Sequence, residues 1–370
     1  MARNTDHIPV TEIIERVGTL GKSNVGSMER IRGVTQDVYC REIPAKHDWN
    51  FLFVSSSLTS VEEFVTGTGS VNTGNSNVTF VGAIITSDML GRRIWFTGDG
   101  AGYDITGFIS SSDLTINPPY RGNNNLSGVS FSINQPVYPI AKDFDRFPKN
   151  GGIFKWEGGH KQTIPETDRT DWVDNYQTAP SVPARLQIIQ NDTAGNTQIE
   201  VNPPPKKALN YPYDYLKKLT PLFETTAGTV LSIQANSVVV TGNTNCKFLE
   251  AQTGDWFRID NLGTGQDSLW YRIISIQNNS ALTLQTSFAN TAITSSANFT
   301  IARAPDMPTR MHIAVLYGAL RGLTIGDNDK NALFYNAQYA QVMSDCKRIY
   351  VSRPYSQKIT GAIEEYHYRR

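Results

Sequence analysis

YDITGFISSSDLTI, residues 103–116, is echoed far downstream by YRIISIQNNSALTL, residues 271–284. Each stretch opens on tyrosine, alternates apolar with polar residues, breaks at a Ser/Asn cluster and resumes with Leu, Thr and an aliphatic residue. That pattern predicts two strands joined by a tight turn. The likeness continues upstream, GRRIWF at 91–96 against GDWFRI at 254–259, and downstream, FSI at 131–133 against FTI at 299–301. Tyr103 and Leu114 stand 11 positions apart, as do Tyr271 and Leu282; Leu114 to Phe131 is 17 positions, as is Leu282 to Phe299. GSVNTGNSNVTFVG from Gly69 and GTVLSIQANSVVVTG from Gly228 extend the match. Chance hairpins would not keep both intervals. Each copy is therefore expected to be a module of about 70 residues with several short strands, spanning 66–137 and 226–304, a duplication.

The remaining segments read as one interrupted body. Val10, Ile13, Ile14 and Val17 recur at helical spacing behind Pro9, and Met28, Ile31, Val38 and Tyr39 follow behind Ser27 as a cap. Pro308 opens a third helical pattern carrying His312, Val315, Leu316, Ala319 and Leu323. Asp327 caps a fourth with Tyr335, Tyr339, Val342, Cys346 and Ile349. Amphipathic helices need partners for their apolar stripes. The expected fold is therefore α+β: a helix bundle from the N- and C-terminal helices with a central β segment and two inserted, duplicated small β-domains. In this reading 1–65, 138–225 and 305–370 form the discontinuous core. Gly318 and Gly322, four apart on one face, allow either close helix approach or a simple bend. The β segment is 184–218, strand, Gly turn, strand, the triple proline Pro203 to Pro205, and a long alternating strand. Residues 149–183, rich in Gly, Trp, Asp and Thr, suggest one short helix and a turn.

Composition narrows the function. The 370 residues carry 34 Lys plus Arg against 34 Asp plus Glu, and 18% are charged, so no global field points to nucleic acid or an anionic membrane. With 39% hydrophobic residues the chain has material for real cores. It contains neither a long apolar run nor a signal-peptide core, so synthesis in the cytoplasm is expected. Cys40, Cys246 and Cys346, odd in number and far apart, argue for reduced thiols.

Catalytic patterns fail on inspection. GTLGKS at 18–23 resembles the end of a phosphate-binding loop, but Arg16 stands where that motif needs glycine, and a helix precedes it. His7, His47, His160, His312 and His367 show no zinc spacing with each other or with cysteine. DGAGYD at 99–104 offers too few oxygen ligands for a calcium loop and reads as a hairpin turn. Aromatic residues, 10% of the chain, fit cross-strand pairs and cores. No catalytic residue, cofactor or metal ligand is expected, and the chain is not expected to be an enzyme.

The order of parts resembles the head-to-tail adaptor proteins of tailed bacteriophages. Two N-terminal helices lead into the extended NFLFVSSSLTSVEEF, the return YPIAKDFDRF, the strand pair RLQIIQNDTAGNTQIEVNPPPKKALNYPYDYLKKL and the closing MPTRMHIAVLYGALRGLTIGDNDKNALFYNAQYAQVM. Ile140, Asp143 and Phe144 match the family's strand-to-turn signature, and Pro308, Arg310 and His312 match the start of its closing helix. The inserted β-modules are a departure, since smaller adaptors lack them. The resemblance implies a virion structural protein at the neck. Its copies, about twelve in a closed ring, would sit beneath the portal protein, join head to downstream tail or nozzle proteins, and line the passage for double-stranded DNA without sequence specificity. A neutral wall suits a conduit, because a basic one would hold DNA through counterion release. The competing expectation is a receptor- or carbohydrate-binding tail spike or fibre protein. The C-terminal stretch 350–370 alternates Tyr350, Tyr355, Tyr366 and Tyr368 with Arg353 and Arg369, residue types that anchor interfaces. These six are the expected contacts to the portal or a neighbouring subunit.

Overall fold

The computed structural model describes residues 8–21, 28–149, 151–157, 160–168, 170, 172, 180–192, 194–260, 269–289, 291–294, 296–326 and 331–351. The chain divides into two compact units, one formed by 52–218 and the other by 1–51 with 219–370.

The unit 52–218 is built of strands. It opens with β1 (Phe53–Thr59) and then enters a seven-strand sheet of β2 (Thr68–Val71), β3 (Asn77–Val81), β4 (Arg93–Phe96), β5 (Gly102–Ser110), β6 (Asp113–Asn117), β7 (Leu126–Val129) and β8 (Phe131–Asn134). After it come β9 (Val137–Pro139), β10 (Phe144–Arg146), β11 (Gly152–Glu157), β12 (His160–Ile164), β13 (Arg185–Asn191), β14 (Thr197–Asn202) and β15 (Asn210–Lys217). Two sheets, β1-β15-β11-β12 with β10 also on β15, and β13-β14-β9, enclose one core. Period-two alternation explains β15: Tyr211, Tyr213 and Tyr215 are buried, while Asn210 between turns and strand stays exposed. The Tyr213 hydroxyl accepts the Ala141 amide at 3.1 Å.

The unit 1–51 with 219–370 holds the second seven-strand array: β16 (Glu224–Thr225), β17 (Val230–Ser232), β18 (Val239–Gly242), β19 (Trp256–Ile259), β20 (Tyr271–Asn278), β21 (Ala281–Leu284) and β22 (Phe299–Ala302). The first array runs β7-β2-β3-β6-β5-β4-β8 and the second β16-β22-β19-β20-β21-β18-β17. Read in reverse, β17-β18-β21-β20-β19-β22 has the connectivity of β2-β3-β6-β5-β4-β8. The correspondence reaches single bonds. Ile94 faces Tyr103 as Phe257 faces Tyr271, and Val78 faces Leu114 as Val240 faces Leu282. The tyrosine hydroxyls accept equivalent amides, Arg121 on Tyr103 at 3.4 Å and Ala289 on Tyr271 at 3.0 Å. Tyr103 packs on Tyr120 with ring centres 5.6 Å apart, and Tyr271 on Phe288 at 5.5 Å. The ladder bulges also match, between Ile105 and Gly107 in one copy and Ile273 and Ser275 in the other. The repeat in the sequence is thus a repeat of fold.

Each array curls until its ends meet. β7 lies on β2 and β8 on β4, yet only Ser130 separates them, and its carbonyl accepts the Thr97 amide at 2.9 Å. In the second copy Ala297 bridges Val230 just before β22 runs along β19. The result is a small barrel filled with side chains, including Phe80, Phe96, Phe131 and Ile133 in the first and Phe248, Phe257, Phe299 and Ile301 in the second.

Four helices of ten or more residues are described, all in the unit 1–51 with 219–370: α1 (Val10–Gly21), α2 (Met28–Asp37), α3 (Thr309–Gly326) and α4 (Ala332–Tyr350). A π turn (Val38–Glu42) and one further turn (Ile43–Lys46) continue α2. Val10, Ile13, Ile14 and Val17 are buried as their spacing predicts, but Met28 and Ile349 are exposed. Asn331 sits at the cap position of α4, and Ser27 and Asp327 lie outside the described residues. α3 is the hub against which α1, α2 and α4 pack. Its glycines serve close approach: a Cβ on Gly318 would lie 2.5 Å from a Val38 methyl, and one on Gly322 2.9 Å from a Val34 methyl.

The expected helix bundle with a central β segment is therefore wrong as a description of the fold, which is mostly antiparallel sheet. Helical periodicity reports which face of a segment is buried, not what share of the body helices form. The strands of 137–164 and 185–217 make a two-sheet body of their own, without a described helix in its core.

Two expected outcomes follow from this packing. Gly69 pairs with Phe80 as Val230 pairs with Gly242, so the counterpart of Gly228 is Gly67 and not Gly69 as the sequence match suggests. Their φ are +88° and +92°, and a Cβ there would lie 2.6 Å from Val81 O and 2.6 Å from Cys246 N. Gly67→Ala and Gly228→Ala should each cost about 2 kcal/mol or more, and hydrogen exchange should localise the loss to the substituted barrel alone. Gly318→Ala should cost about 1–3 kcal/mol by overpacking, read as a lowered urea midpoint of the helical unit.

Candidate functional site

Of the six residues expected to form an interface, only Tyr350 is among the described residues; Arg353, Tyr355, Tyr366, Tyr368 and Arg369 lie outside them. Tyr350 closes α4, and its ring meets Phe51 edge-on at 6.4 Å. Phe51 stacks on Trp49 at 6.0 Å, and Trp49 takes the edge of His47 at 5.1 Å. Trp49 is fully buried, its Nε1 donating to Ile43 O at 2.7 Å, and its backbone bridges Val351. The exit of α4 is thereby clamped to the segment 47–51 by aromatic packing worth about 0.5–1.5 kcal/mol per pair beyond area burial.

A charged cluster locks the same helices. Glu42 accepts from Lys46 at 3.0 Å and from Arg321, while both cations lie over the Tyr339 ring, Lys46 at 4.3 Å and Arg321 at 4.5 Å from its centre. Burial pushes the Glu42 carboxyl up, but the hydrogen bonds from Lys46 and Arg321 outweigh it and hold its pKa below the usual glutamate value. Burial likewise raises the Tyr339 phenol. His312, fully buried, accepts the Ile8 amide at Nδ1 (3.2 Å), and its Nε2 lies 3.2 Å from Pro305 O and 3.1 Å from Met307 O. It staples the segment before α1 to the loop before α3. Sequence reasoning placed it only in the helical pattern that Pro308 opens, and nothing in local spacing reveals a partner more than 300 positions away.

A groove of about 550 Å³ opens in this unit among Val10, Ile14, Arg32, Gln36, Phe223 and Glu224. Arg32 pairs with Glu224 at 3.0 Å, and Gln36 Oε1 accepts the Leu222 amide at 3.1 Å. Its charged groups are thus engaged with each other, and neither cysteine nor histidine is among its lining residues, which include the hydroxyls of Thr225 and Thr226. Among the described residues no group of three His, Cys, Asp or Glu side chains could hold a metal ion. The site chemistry is that of joints: aromatic clamps, charged locks and a buried imidazole staple.

Because the Glu42 pKa is depressed on folding, its contribution is fully present above the ordinary glutamate pKa and is lost as pH falls through the lower folded value. Glu42→Gln should cost about 1–2 kcal/mol at pH 7. It should also flatten the acid limb of stability, checked by urea denaturation from pH 7 to pH 3.

No family model matches the chain, and no curated protein matches it. Among solved structures, the translation elongation factor SelB from Methanococcus maripaludis, in its apo form, is 10% identical with a TM-score of 0.15. That match covers 69% of this chain, which spans 63% of the elongation factor chain. Likeness at that level carries no assignment of fold or function.

Proposed function

We propose that this chain is a structural protein of a tailed-bacteriophage virion, a head-to-tail adaptor. Its copies form a ring beneath the portal protein, connect head to tail or nozzle proteins, and surround the passage taken by double-stranded DNA. The observation that supports this most is where the adaptor-like motif residues sit. Ile140 and Phe144 are buried in the two-sheet core, and Asp143 accepts the Tyr215 hydroxyl at 2.7 Å and, through its carbonyl, the Lys218 amide at 2.6 Å. Pro308 starts α3, and His312 staples it. Ile140, Asp143, Phe144 and His312 are joints, as a scaffold requires, while Arg310 of the same motif is exposed.

The formal charge, 34 against 34, suits a wall past which DNA slides. The two barrels are self-contained bodies that an adaptor core can carry as insertions. Native mass measurement of the purified chain, alone and with the portal protein of the same virus, tests the reading. A closed ring, or assembly that depends on the portal, is the expected result. A trimer that binds glycan and ignores the portal would instead identify a receptor-binding tail protein.

A further inference from the structure

Among the described residues, the sheet β1-β15-β11-β12 has two open edges. β1 forms an unbroken seven-pair ladder with β15, and β12 an unbroken five-pair ladder with β11. Ser55, Ser56 and Ser57 are exposed at one edge, and His160, Lys161, Gln162 and Thr163 at the other. Native sheets blunt such edges with proline, bulges, short strands or charged side chains, of which β12 carries Lys161. β1 carries none of these.

The hydrogen-bond phase of both edges follows from the ladders. Ser60 N donates to Leu209 O at 2.8 Å, so in β1 the even residues turn their backbone groups to β15 and Ser55 and Ser57 turn theirs outward. On β15 Asp214 then faces Gly152 of β11. Counting across, Ile164 and Gln162 face β11, while Lys161 and Thr163 point away from it. The faces agree as well: Leu58 and Ile164 are both buried in the inner core. The Lys161 ammonium lies 3.5 Å from the centre of the Phe154 ring, on the outer face and clear of the edge.

Because the four strands alternate in direction, a second copy's β12 laid against β1 continues the antiparallel order. We propose that copies of this chain join edge to edge through this sheet, with β12 of one copy added to β1 of the next. One register uses all of β12 and keeps the inner faces together: Ile164 opposite Val54, Gln162 opposite Ser56 and His160 opposite Leu58. Thr163 with Ser55 and Lys161 with Ser57 are then the hydrogen-bonded pairs. A slip of one residue would turn Ile164 to the outer face, and a slip of two shortens the overlap. A second copy is the occupant that satisfies both edges with a single contact. Being heterologous, that contact repeats from copy to copy until a ring closes. The proposal rests on the ring reading above and specifies its contact.

The test uses the full chain. Ser56 and Gln162 form a non-hydrogen-bonded pair with Cα atoms about 4.5 Å apart, within disulfide range. Oxidised S56C/Q162C should give a ladder of disulfide-linked multimers, and S56C or Q162C alone should not. S57P removes an outward amide while sparing the bonds to β15, so it should fold as the parent does and self-associate about tenfold more weakly or worse. If S57P fails to fold, the cysteine ladder alone decides. A parent that forms rings while S56C/Q162C gives no ladder overturns the edge contact and leaves the adaptor reading standing. A parent that stays monomeric both alone and with the portal overturns both.

Discussion

A buried strand must find partners for its backbone amides and carbonyls, and this chain meets that demand by closing sheets on themselves. In each barrel one short segment, 126–134 in the first and 297–302 in the second, pairs with strands at both ends of the array. Closure removes the exposed edges that make inserted β-structure a hazard. It also makes each barrel self-contained, with its own apolar filling. Two long excursions can therefore sit in the chain without rearranging what flanks them.

The flanking structures are held by a few polar joints set in apolar surroundings. Arg93 reaches from the first barrel to Glu200 of the two-sheet body at 3.1 Å. Arg258 reaches from the second to Glu15 of α1 at 3.0 Å, and the nearly buried Asp255 receives Arg303 at 2.9 Å. Each fixes an orientation that apolar contact alone leaves loose. The partly exposed pairs of Arg93 and Arg258 add little net stability, so their main effect is geometric. His312, Trp49 and the Glu42 cluster act in the same way on the helices. Joints of this kind hold elements in fixed positions, which is why the proposed function is architectural.

The two-sheet body behaves differently from the barrels. Its central strand β15 is saturated on both sides, but β1 and β12 end the sheet without a described backbone partner. Within one chain, the contrast between closed barrels and an open sheet is a difference in how edges are managed, and it marks the sheet as the place where sequence and fold leave room for another strand.

Legibility from sequence followed the range of the interaction. The duplication was readable because equal intervals between Tyr103, Leu114 and Phe131 and between Tyr271, Leu282 and Phe299 record the same ladders twice. The buried stripe of α1 was readable because the 3.6-residue period is local. The balance of the fold was not, since the strands in 152–164 come from a Gly- and Trp-rich stretch whose alternation is short; β11 becomes a strand by pairing with β15 some sixty positions later, and β12 by pairing with β11. Nor could spacing choose between bend and close approach at Gly318, because the answer lies in Val38 of another helix. Sequence by itself determined the repeat, the turns between its strands and the buried faces of the helices, all set by neighbours a few residues away. Tertiary structure alone decided which strands share a sheet, where His312 finds its partners and which edges stay open, because those depend on contacts across hundreds of residues that no local period encodes.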